Sequence, residues 1–76
     1  MTKKLQDLQE VKKQLDILAN DPMDEMISFL QKVEPVEIAL KKAARCPKTD
    51  EEKQLAKEVK AQFEQIQIAF SKKFGV

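Results

Sequence analysis

Apolar residues recur along the chain at helical intervals, with polar residues filling the spaces between them. Leu5, Leu8, Val11, Leu15 and Leu18 repeat every three or four positions. At 100° per residue they share an arc about 140° wide, which predicts an amphipathic helix over residues 3–19 with Ile17 on its far side. The spacing of Leu8, Val11, Leu15 and Leu18 also suits a coiled-coil seam, but so short a run is not enough to specify one.

Asn20-Asp21-Pro22 interrupts the period. Aspartate can accept the free amides of a helix start, proline at the first helical position already has the right φ, and Asp24 and Glu25 suit the positive end of a helix dipole. A second helix is therefore predicted over 22–33. Met23, Met26, Ile27, Phe29, Leu30 and Val33 cover so wide an apolar arc that this helix is expected to be the central, most buried one. Pro35 then lacks the amide that a helix interior needs. A joint at Pro35 is favoured over a kinked continuous helix, giving a third helix over 35–46 that ends at Pro47. Its apolar positions are Val36, Leu40, Ala43 and Ala44, and Lys41, Lys42 and Arg45 suit the negative end of its dipole.

Thr49-Asp50-Glu51-Glu52 reads as a capping box, with Thr49 as N-cap and Glu52 reaching back to it. The last helix is predicted over 50–73, with Leu55, Ala56, Val59, Phe63, Ile66, Phe70 and Phe74 on one face and Gly75 as its stop. The expectation is thus an all-α fold, a single domain over 1–76. It is a small antiparallel helical bundle of three to four helices (3–19, 22–33, 35–46 and 50–73), of which the last is longest. That last helix would be about 36 Å long, against roughly 30 Å for a compact domain of this length, so its end is expected to overhang the body.

The chemistry expected of this chain is set by what it lacks. It has no His and no Tyr, one Gly and one Cys. Without His, neither Ser28, Ser71 nor Cys46 has the usual adjacent base, and one glycine cannot build a phosphate-cradling loop. The neighbouring Arg45 and Lys48 could lower the Cys46 thiol somewhat, yet a small residue beside a proline at a helix end is ordinary. No enzyme, cofactor or metal centre is expected. No apolar run approaches the ~20 residues of a membrane span, and a lone cysteine without an export signal fits a reducing cytoplasm.

Two surfaces remain as candidates for a partner. Phe63, Ile66, Phe70 and Phe74 form an apolar stripe at groove-filling spacing on the overhanging end. Lys41, Lys42, Arg45 and Lys48 form a basic cluster that could contact phosphate. The net charge is only +1, no aromatic residue interleaves with these cations, and the following helix opens on three acids, so nucleic-acid binding is the second choice. The leading expectation is a non-catalytic protein–protein interaction module, as in many small bacterial or phage regulators and adaptors. It would self-associate, a dimer first, through the last helix, for an unidentified protein partner.

Overall fold

The first helix starts where its cap is. In a computed structural model, which describes residues 2–75, the Thr2 hydroxyl accepts the Leu5 amide at 3.1 Å, and α1 runs over Lys3–Ala19. The helix α2 covers Met26–Ala43 and α3 covers Asp50–Phe74, so three helices pack together among the described residues. The bounds of α1 and α3 follow the apolar period closely. Gly75 closes α3 at φ 70°, its amide bonded to the Ser71 carbonyl at 2.8 Å, as its freedom from a Cβ permits.

The middle of the chain departs from the sequence reading in two ways. First, α2 begins at Met26 rather than at Pro22. Asp21 does accept a nearby amide, that of Met23 at 2.9 Å, but this bond closes a turn instead of capping a helix. Met23 adopts φ 53°, outside the right-handed helical region, and in doing so drops its side chain into the core. Burying that methionine is what delays the helix by a turn. Second, Pro35 does not break the chain. It is the tenth residue of one continuous helix, so the expected joint and the fourth helix are absent. Phe29 before it and Val36, Leu40 and Ala43 after it are all buried, so packing on both sides of the proline holds the helix together. The ring itself lies on the exposed side, where the Gln31 carbonyl that loses its donor can turn to water.

The core belongs to α1. Its Leu8 and Leu15 are fully buried, and α1 packs extensively on both other helices, while α2 and α3 touch each other far less. Side-chain contacts give the directions. Thr2 at the start of α1 meets Glu52 at the start of α3, whereas Lys4 reaches the Arg45 carbonyl just past the end of α2. So α1 and α3 run the same way and α2 runs against both. The expectation that α2 is the most buried helix is overturned: Ile27, Leu30 and Ile38 stand 65%, 45% and 51% exposed.

The expected overhang is not found either. The molecule is a rod of 38 × 17 × 17 Å whose long axis matches α3, and its radius of gyration is 12.9 Å. The 20–25 connection and the first turn of α2 extend along α3 to its end. Phe70 stacks on Phe29 at 5.6 Å between centroids, Phe74 leans on Phe70 at 4.8 Å, and the Lys73 ammonium donates to the Pro22 carbonyl at 2.8 Å. The sequence estimate of length assumed a sphere, and the bundle is prolate.

A proline inside a helix costs about 3 kcal/mol against alanine, offset by up to about 1 kcal/mol from a stiffer unfolded chain. Pro35→Ala is therefore expected to stabilise the fold by about 2 kcal/mol in urea unfolding; an unchanged or lower midpoint would show that the proline relieves strain.

Candidate functional site

The basic cluster sits where α2 ends and the chain turns towards α3. Lys41 and Lys42 occupy the last turn of α2, and Lys41 pairs with Glu37 one turn earlier at 3.1 Å. That ion pair and the dipole account for Lys41 without a ligand. Lys42, Arg45 and Lys48 are exposed, and none lies within 4 Å of a carboxylate among the described residues. Lys4, from the start of α1, turns towards the free carbonyls of Ala43 and Arg45 and so closes the end of α2.

The loop that carries this cluster is fastened by one carboxylate. Glu52 is 3% exposed, the only charged side chain buried among the described residues. The sequence reading has it reach back to the Thr49 amide. It goes one residue further: Oε1 accepts the Lys48 amide at 3.2 Å and Oε2 accepts the Thr2 hydroxyl at 2.9 Å. Thr49 makes the other half of the box, accepting the Glu52 amide at 3.1 Å. The Lys48 amide is the main force holding the Glu52 carboxyl below the usual carboxylate range; burial opposes it, and the Thr2 and Thr49 hydroxyls and the Lys4 ammonium assist. A single side chain thus ties the starts of α1 and α3 and the connection from α2 into one knot. At the other end of the rod Asp21 plays a similar part. Its bond to Lys32, at 2.8 Å, and then the Met23 amide hold its carboxyl below the ordinary value.

The four apolar residues expected to bind a partner do not form one free stripe. Phe63 and Ile66 are buried in the chain's own core, and Phe70 and Phe74 are half-buried against it. Phe70 and Ile66 line one side of a shallow groove between α3 and α2, with Leu30 and Val33 on the other. A second shallow groove, between α1 and α2, is lined by Ile17, Pro35 and Ala39 among others. Ile17 therefore has apolar company at the surface, whereas Ile68, 41% exposed, lines neither groove. Cys46 is free, exposed and at φ 49°, and no group of three or more His, Cys, Asp or Glu among the described residues is placed to hold a metal.

Between the two grooves lies the feature that the sequence reading did not single out. The outward face of α2 carries Ile27, Leu30 and Ile38, all exposed, with Pro35 and Ala39 beside them. The signal was present. Once residues 26–43 are placed on one helix, Ile27 and Ile38 fall within about 20° of each other and opposite Phe29 and Val36. A break at Pro35 hid this alignment by assigning the two isoleucines to different helices.

Compared with known proteins, the chain matches no family model, no curated protein and no solved structure.

Glu52 and Asp21 both titrate below their unfolded-state values, so each stabilises the fold above its unfolded pKa, and that contribution is lost as pH falls through the folded one. Stability is expected to decline with acid below the ordinary glutamate value of 4.5. Glu52→Gln should be less stable at neutral pH and lose less on acidification, as followed by urea unfolding at several pH values; parallel curves for the two proteins would count against the knot.

Proposed function

We propose that this protein is a non-catalytic protein–protein interaction module whose docking surface is the outward face of α2. One observation carries the reading: three large aliphatic side chains, Ile27, Leu30 and Ile38, are held in water on a single helix face. Scattered exposed apolar residues are ordinary, but a row along one helix, continued by grooves on both sides, is how proteins present a contact surface. The burial of Phe63 and Ile66 argues against self-association through the last helix and moves the surface to α2. The absence of His and Tyr from the sequence supports a role without catalysis. No helix among the described residues is long and apolar enough to cross a membrane, and a reducing compartment such as the cytoplasm suits the free thiol of Cys46.

A second reading, contact with nucleic acid, draws on Lys42, Arg45 and Lys48, exposed and without acidic partners among the described residues. It predicts binding to duplex or single strand that falls steeply as salt rises. A gel shift at low salt decides it, and no shifted band would end it.

The first reading is tested in living cells with a photoreactive residue in place of Ile38, and with the same residue in place of Lys57 on the polar face of α3. Protein adducts are expected from position 38 and not from 57. Equal yields at the two positions, or none, would remove α2 as a docking surface.

A further inference from the structure

We infer that residues 21–34 form a strap that lifts off the bundle as one unit while α1, α3 and the rest of α2 stay folded. Lifting it uncovers the apolar end of α3 at Ile66 and Phe70. The inference does not depend on a partner at the outward face of α2; it concerns the inner side of the same helix.

The strap is held less firmly than the helix that follows it. Residues 36–44 bury Val36, Leu40, Ala43 and Ala44, and Lys4 clasps their end. Residues 21–34 are a longer stretch, yet they bury only Met23 and Phe29, with Val33 packed beside the core. The backbone shows the same contrast. Met23 holds φ 53°, a conformation that a residue with a Cβ adopts at a cost, and opening relieves it. Glu25 offers the first amides of α2 no side-chain cap, and Pro35 gives the Gln31 carbonyl no donor. The stretch Met26–Glu34 is therefore short of hydrogen bonds at both ends.

Its polar contacts make the strap a unit. Asp21 accepts the Met23 amide at 2.9 Å and pairs with Lys32 at 2.8 Å, so it ties the strap to itself rather than to the body. Among the described residues one hydrogen bond crosses from the strap to α3, the exposed one from the Lys73 ammonium to the Pro22 carbonyl at 2.8 Å. The apolar tie is the Phe29 ring on Phe70, 5.6 Å between centroids, with Leu30 and Val33 edging the groove above Ile66. Once lifted, the stretch Met26–Glu34 is shorter than the about 12–15 residues that an isolated helix needs, so it melts and its amides reach water. The rest does not follow. Leu8 and Leu15 stay buried on α1, and the Glu52 knot lies at the far end of the rod.

Hydrogen exchange of the purified full chain, read amide by amide by NMR under native conditions, is the test. Corrected for intrinsic rates, amides 29–34 are expected to exchange at least roughly tenfold faster than amides 11–18 of α1, which report unfolding of the whole chain. Glu52→Gln weakens contacts that survive the opening of the strap. It should speed the α1 amides roughly fivefold and leave amides 29–34 unchanged. Phe70→Leu removes the ring under Phe29 and should speed amides 29–34 roughly fivefold. The uncovered surface is read with one thiol at a time in a Cys46→Ser background, since Cys46 is the chain's only cysteine. Ile66→Cys should react with a thiol reagent at the strap's rate, indifferent to Glu52→Gln, whereas Val59→Cys, fully buried on α3, should follow the α1 amides. Circular dichroism checks that each variant is folded. Equal protection of the two segments, faster exchange of amides 29–34 in Glu52→Gln, indifference of those amides to Phe70→Leu, or labelling at 66 no faster than at 59 would each overturn the inference.

Discussion

Leu8 and Leu15 are fully buried because α1 lies against two neighbours at once, and most of the remaining architecture follows from that. A bundle of three helices needs each member to bury part of its circumference. Here α1 meets both others broadly, while α2 and α3 meet only along a thin seam. That seam stays open as a groove, and α2 keeps one whole side in water. The apolar residues on that side are then surplus to the fold. Ile27, Leu30 and Ile38 contribute nothing to the core that Phe29, Val36 and Leu40 do not already supply.

The ends of the rod are secured by polar devices. At one end the Glu52 carboxylate gathers the Lys48 amide and the Thr2 hydroxyl. At the other, Asp21 holds Lys32 and the Met23 amide while Lys73 holds the Pro22 carbonyl. Both devices join residues far apart in sequence. They fix where each connection lies and so how the two ends of α2 are held. A chain of 76 residues has limited apolar area to bury, and carboxylates that gain hydrogen bonds on folding let stability be concentrated at the connections.

Periodicity made α1 and α3 legible, including their buried residues and the Gly75 stop, because each is a long run with one apolar stripe. It failed in the middle of the chain for definable reasons. Met23 trades helical backbone for burial, a choice set by the space between α1 and α3 that no local preference records. Pro35 sits in a helix because packing on both sides of it outweighs a lost hydrogen bond, and tertiary context of that kind is invisible in a dipeptide. The misplaced break had a further cost, since it split the outward row of α2 and drew attention to Phe63 and Ile66, which the core consumes. The basic cluster was legible as residues. Neither the bond from Lys41 to Glu37 nor the role of Lys4 at the end of α2 was read from the sequence.

Pro35 also divides α2 in a way that the continuity of the helix conceals. It gives no amide to the Gln31 carbonyl, and Glu25 offers no side-chain cap at the start. The stretch from Met26 to Glu34 is thus joined to the rest of its helix by one hydrogen bond fewer than a regular helix has, and Phe29 is its one buried side chain, with Val33 packed beside the core and Lys32 tied to Asp21. Local opening starts where backbone bonds are few and exposed. The first half of α2 is therefore the part of the helix most able to loosen and reseat, while its last turn, clasped by Lys4, keeps its place.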